Sequence, residues 1–399
     1  MQYDLVFEGG GAKGMVFVGA LQAFEARGHT YGRLLGTSAG AITATLLAAG
    51  YAAQEMLAAL NEKVGDRSVF EAFLGLPANF DAETIQQGVL REFLRNLNLP
   101  LVPDFIEDKL DDQIVRFLAE QPRFRHLVSF FERGGWFSAD SFLVWMCQKL
   151  DAGSFKGAPR AFSQMTLAQF YAATQVDLSL IASDTTAGNL LVLNHRTAPD
   201  CPVVWAVRMS MNIPLLWQEV IWQQTWGLYR GDRDLTGHVI VDGGMLSNFP
   251  MELFVSSQPE VIAVMGPKVS DNVLGFLIDD EQPVPGAPTA SAVAKTGAAQ
   301  VGMLRTVQRI ANLLNTMMQA HDKMVMEAFA DRVVRLPAQG YGTTEFAMSD
   351  ERKTLLVAGG QEKMRDYLAR SEGIEMVNYS LGTDVGSVAV DRMALRLLK

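Results

Sequence analysis

Hydrophobic and polar positions along the chain alternate between two periods, and their order predicts a β/α fold. Residues 3–7 (Tyr-Asp-Leu-Val-Phe) have the β-branched and aromatic content of a buried strand. Met15 to Arg27 then repeats apolar residues with helical spacing at Val16, Ala20, Leu21 and Phe24, and Gly28 follows as a stop signal. Leu34 and Leu35 belong to a second strand, and the Ala-rich run from Ala39 to Gly50 reads as a helix starting directly behind it. Residues 54–64 form another amphipathic helix.

From about 66 to 133 the pattern is mixed, with helical stretches near 83–97 and 105–120 interrupted by prolines, and it reads as a helical insertion. Core strands resume at Leu178–Asp184 and Leu190–Asn194, separated by the turn residues Ala187-Gly188-Asn189, which predicts a hairpin. Val203 to Met211 reads as a buried helix, His238 to Val241 as a strand ending in Asp242, and Val261 to Met265 as a further strand. Residues 267–296 read as a loop region whose Pro-rich part is 281–296. Gly302 to Asp331 reads as a long helix with a Met-rich stripe that includes His321. A strand at Val333–Leu336, a helix over Asp350–Ala369 and a loosely packed tail complete the pattern. With neither an internal repeat nor a domain linker, 1–399 is expected to be one domain, its core spanning about 3–265 and 331–370.

Composition narrows the class. The chain is 49% hydrophobic and 20% charged, so it can bury a large core. A formal net charge of -10 disfavours nucleic acid and anionic surfaces as electrostatic partners. Cys147 and Cys201 supply neither a disulfide framework nor metal-ligand spacing, and read as reduced core residues. The start Met1-Gln2-Tyr3-Asp4 lacks the basic region of a secretory signal, and no apolar run reaches the ~20 residues of a membrane span. The expected location is therefore cytoplasmic, with peripheral membrane contact at most. Trp217, Trp222 and Trp226 crowd one segment; core packing is the simpler reading, anchoring in a lipid interface the sharper one.

Two glycine turns carry the candidate chemistry. Gly36-Thr37-Ser38-Ala39-Gly40 fits G-x-S-x-G, in which a strand ends, a serine takes a strained turn conformation, and a helix begins. One helix upstream, Gly9-Gly10-Gly11-Ala12-Lys13-Gly14 joins a strand to a helix, so free N–H groups can point out of the loop. The spacing of Gly9, Gly11 and Gly14 also matches a dinucleotide loop, but the second strand ends in Gly36-Thr37-Ser38 where a Rossmann fold needs an acid. Together the two turns suit an oxyanion hole beside a nucleophilic hydroxyl. An α/β-hydrolase triad fits poorly: His29, His126, His195 and His238 are scattered and His321 lies on the long helix. Asp242, at a strand end followed by Gly243 and Gly244, is then the expected proton acceptor for Ser38, emerging on the edge where parallel strands end.

These motifs, in this order, resemble the patatin-like phospholipases: Glu8 to Gly14, Gly36 to Gly40, and Asp242-Gly243-Gly244. The segments Val207–Pro214 and Thr343–Ser349 are also similar to family segments, so the resemblance spans about residues 3–370. It implies a three-layer α/β/α sandwich with a mostly parallel sheet, a helical insertion and C-terminal helices. It further implies a Ser-Asp lipid acyl hydrolase that needs neither metal nor cofactor. By position, Ser38 would be the nucleophile, Asp242 the base, Gly10 and Gly11 the best oxyanion donors, and Lys13 a loop anchor. The expected substrate is a phospholipid or lysophospholipid. A carboxylesterase acting on soluble esters and a non-catalytic lipid- or protein-binding module are the alternatives. Head group, oligomeric state and the role of the insertion are not encoded in any motif.

Overall fold

The computed structural model describes residues 1–80, 88–89, 92, 117, 121–270, 272–287, 328–373 and 385–398. The expected helices near 83–97 and 105–120, and most of the one over Gly302–Asp331 with His321 and its methionines, lie outside these residues.

Among the described residues eight strands form the central sheet: β1 (Gln2–Phe7), β2 (Thr30–Thr37), β3 (Asp177–Asp184), β4 (Asn189–Leu193), β5 (Val220–Ile221), β6 (Val239–Asp242), β7 (Val273–Pro283) and β8 (Val333–Gln339). Their order is β5-β6-β3-β2-β1-β7-β8, with β4 also paired to β3. The run β3-β2-β1-β7-β8 is parallel throughout, whereas β4, β5 and β6 join antiparallel.

Strict alternation along these strands sends successive side chains to two cores. Leu5, Phe7, Leu34, Leu180, Leu274 and Phe276 face one, while Val6, Leu35, Ile181, Val273 and Leu277 face the other. The first face is covered by α1 (Met15–Ala26), α2 (Ala39–Ala48), α3 (Ala53–Leu60), α4 (Val69–Ala72), α5 (Val203–Ser210) and α8 (Asp350–Gly373). The second is covered by α6 (Glu252–Val255), α7 (Pro259–Met265) and α9 (Val385–Leu397). Helices thus lie on both faces of a mostly parallel sheet, the three-layer α/β/α architecture. Among the described residues no helix is long and apolar enough to cross a membrane.

Three expectations are corrected. Val261–Met265 is part of helix α7, started by Pro259 and Glu260; a five-residue apolar run does not by itself distinguish strand from helix. Within the expected loop 267–296 lies β7, paired between β1 and the edge strand β8. Its apolar core Val273–Ile278 ends in Asp279-Asp280-Glu281 and a proline-rich stretch, and those polar residues mask the strand signal. In the tail, α9 packs Val390 and Ala394 into the second core.

One ion pair locks the sheet away from the site. Arg33 and Asp4, both buried, pair across β1 and β2 at 2.7 Å, and the remaining guanidinium N–H groups donate to the Phe254 and Gly266 carbonyls. A buried pair whose other donors are also satisfied holds register and is strongly destabilising to break.

Candidate active site

Register places the two glycine turns side by side. Phe7 pairs with Gly36 and with Phe276, so Glu8–Gly14 and Ser38 leave the sheet together at the ends of β1 and β2. Ser38 adopts φ 53° and ψ −117°, a conformation that costs a non-glycine residue about 1–3 kcal/mol. Gly36 and Gly40 permit it: a Cβ at Gly36 would overlap the Gly40 carbonyl, and one at Gly40 the Phe7 and Glu8 carbonyls. The turn is propped from α5. The Ser38 N–H donates to Ser210 Oγ at 3.1 Å, and Ser210 Oγ donates to the Ile181 carbonyl at 2.5 Å.

Asp242 reaches Ser38 by a route different from the expected one. Strand β6 runs antiparallel to β3, so its end does not lie on a common parallel edge. On β3, Ile181 pairs with Thr37 of β2 and Ala182 with Asp242 of β6, while β4 occupies the opposite side of both residues. Strands β2 and β6 therefore lie in line along one side of β3 and meet C-terminus to C-terminus. The serine after one strand faces the aspartate ending the other.

The Asp242 carboxyl is buried, which pushes its pKa up from 3.8 to about 7; the Ser38 hydroxyl and the Gly244 N–H pull the other way. Oδ1 accepts the Gly244 N–H at 2.8 Å, and the Asp242 N–H donates to the Asn212 carbonyl at 2.9 Å. Oδ2 has no hydrogen-bond partner among the described residues. Thr37 Oγ1, Asn212 Oδ1, Ser247 Oγ and Asn248 Oδ1 are likewise buried without a partner among the described residues.

The glycine loop is held from three sides. The Ala12 N–H donates to the Thr343 carbonyl at 2.9 Å, and Lys13 pairs with Asp280 beyond the middle of β7 at 2.8 Å. Buried Glu8 accepts the Ile278 N–H at 2.5 Å and the Asn248 side-chain amide at 3.1 Å. The N–H groups of Gly10 and Gly11 donate to no acceptor among the described residues, and Gly11 has φ 54° with the Thr343 carbonyl in the place a Cβ would take. Gly9 and Gly14 serve as close-approach points, against Asn248 and Ala39.

From Ser38 an apolar cavity extends along α2 past Ile42 and Leu46, at four-residue intervals, with Thr43 beside Ile42. Met56 and Leu60 of α3 and Phe70 of α4 line it too, as do Trp217 and Phe346, whose ring centroids are 5.7 Å apart. Trp217 is thus a cavity wall, and Trp222 and Trp226 are buried in the core. Cys201 is buried in the core, and burial pushes its thiol pKa up; Cys147 is half-buried. Of the histidines, His238 pairs with Asp184 at 2.8 Å and His195 lies against Asp177; neither lines the cavity. Among the described residues no three His, Cys, Asp or Glu side chains are grouped to hold a metal ion.

The family profile described as patatin-like phospholipase matches residues 5–255. The chain belongs to the patatin-like phospholipase family. Among curated proteins, this family member is similar to the uncharacterized protein YqhO of Bacillus subtilis (strain 168), 26% identical over 92% of this chain and 98% of the relative. Of solved structures it is similar to VipD from Legionella pneumophila, at 17% identity and a TM-score of 0.44, over 92% of this chain and 67% of that one. It is similar also to the type III effector ExoU, at 17% identity and a TM-score of 0.41, over 99% of this chain and 59% of that one.

Ser210, Asn248 and Glu8 were not singled out by sequence reasoning for any role in the site. Ser210 and Glu8 lie within the motif segments, but their hydrogen bonds join segments 172 and 270 residues apart, which no local pattern encodes.

Proposed function

We propose that this protein is a serine lipid acyl hydrolase that cleaves ester-linked fatty acyl chains from phospholipids or lysophospholipids through an acyl-Ser38 intermediate. The observation that carries the reading is a strained serine opening onto an apolar cavity and facing a buried carboxylate. Ser38 Oγ attacks the ester carbonyl carbon as its proton passes to Asp242. A carboxylate with an ordinary pKa is a weak base toward a hydroxyl; burial, which brings Asp242 to about 7, makes it a better one near neutral pH. Negative charge moves onto the carbonyl oxygen, for which the N–H groups of Gly10 and Gly11 are the donors in hand, joined by Ala39 at the start of α2. The Ser38 N–H is excluded because it is engaged by Ser210. Asp242 then protonates the leaving alcohol.

The cavity supports a chain substrate over a small polar ester. Among the described residues, Ser38 and Thr43 are the only hydroxyl side chains lining it, and the rest of the wall is apolar or glycine. Each methylene buried there contributes roughly 0.8 kcal/mol, about fourfold in kcat/KM. Titrimetric hydrolysis of p-nitrophenyl esters from acetate to palmitate, and of lysophosphatidylcholine, tests the reading. Rising kcat/KM with chain length, lost in Ser38→Ala and Asp242→Asn, is the expected result. A preference for acetate would favour the carboxylesterase, and no turnover at all the binding module.

A further inference from the structure

Asn248 follows the Asp242 turn and is buried against the glycine loop. Its Nδ2 donates to Glu8 Oε1 and to the Gly9 carbonyl, both at 3.1 Å. Because both neighbours are acceptors only, the orientation of the amide is fixed by chemistry, and its oxygen must point the other way. That Oδ1 has no hydrogen-bond partner among the described residues. A Cβ built on Gly9 would lie 2.2 Å from Asn248 Oδ1 and 3.0 Å from Ser38 Cβ, so the amide oxygen and the Ser38 side chain stand close to the same point. Asp242 Oδ2 is a second unpaired buried acceptor next to Ser38. Two buried acceptors beside one nucleophile can take the two O–H bonds of one water molecule.

We propose that Asn248 Oδ1 and Asp242 Oδ2 together orient the water that hydrolyses the acyl-Ser38 intermediate. The inference rests on the Ser38–Asp242 reading above. With one O–H accepted by each group, the water presents a lone pair to the acyl carbon. The water oxygen bonds to that carbon while one proton passes to Asp242 and the carbonyl electron pair moves onto its oxygen. On collapse the bond from carbon to Ser38 Oγ breaks, Oγ recovers the proton from Asp242, and the fatty acid leaves with the second water proton. That proton stays hydrogen-bonded to Asn248 throughout, so Asn248 positions the water and takes no proton.

Nδ2 of the same side chain also holds the glycine loop, which acts in acylation as well, so the test must separate the two half-reactions. Rapid-mixing kinetics with p-nitrophenyl laurate gives acylation from the burst and deacylation from the steady state; intact mass reports acyl-Ser38. Asn248→Leu removes the acceptor and is expected to slow deacylation about 100-fold or more and acylation less than tenfold. The acyl-enzyme should accumulate, and hydroxylamine, a stronger nucleophile needing less orientation, should restore turnover. Asn248→Asp keeps an oxygen acceptor, and its ratio of deacylation to acylation should stay within about threefold of wild type. If both rates fall together in Asn248→Leu without acyl-enzyme, or if Asn248→Asp accumulates it equally, the proposal is overturned. A wild-type enzyme that turns over without ever carrying acyl-Ser38 overturns the underlying reading instead.

Discussion

Replacing Asp242 by Asn isolates the energetic consequence of holding a carboxylate in this site. Its pKa is raised from 3.8 to about 7, chiefly by burial. About three units at 1.36 kcal/mol each corresponds to at most about 4 kcal/mol between the two protonation states. The sign follows from proton counting. Between pH 4 and 7 the folded protein keeps a proton that the unfolded chain has released, so this group's contribution to stability falls as pH rises through that window. Above pH 7 it levels off. Asparagine is nearly isosteric and does not titrate. Urea unfolding of wild type and Asp242→Asn across this range should show the variant gaining on wild type by several kcal/mol from pH 4 to pH 8, with the gain complete near pH 8. A stability difference independent of pH would refute the burial argument. The same pKa predicts that kcat/KM of the wild type rises about tenfold from pH 6 to pH 8, as the base becomes ionised.

Other consequences are local. Ser210→Ala leaves the Ser38 N–H and the Ile181 carbonyl without their shared partner; we expect about 1–3 kcal/mol lost in urea unfolding, and kcat to fall at least about tenfold with KM little altered. Leu46 lies two turns of α2 beyond Ser38, about 12 Å along the helix axis, so Leu46→Trp should move the optimum in an ester series toward shorter acyl chains. Gly40→Ala places a methyl group against the Phe7 and Glu8 carbonyls and should lower Tm markedly, with at least about 1–3 kcal/mol of overpacking.

The parts legible in the sequence are those whose cause is local. The turn at Ser38 and the loop after β1 announce themselves because their glycines are neighbours in the chain. Asp242 stands out in the sequence as an acid before a glycine turn, but its placement does not: parallel strand ends predict it on a common edge, whereas β6 runs antiparallel and meets β2 head-on. Strand β7 escaped because its acidic and proline-rich end outweighed six buried apolar or glycine positions. The side chains that hold the site act across the fold: Ser210 from α5, Asn248 from beyond β6, and Asp280, the partner of Lys13, 267 residues away. Spacing along one strand or helix carries no trace of such pairings.

The central claim is that Ser38 is the nucleophile and Asp242 its base. Fluorophosphonate labelling followed by peptide mass spectrometry tests it most directly. One adduct on Ser38, absent in Ser38→Ala and formed at least about 100-fold more slowly in Asp242→Asn, is the predicted result. A folded wild-type protein left unlabelled, or labelled at another residue, would contradict it.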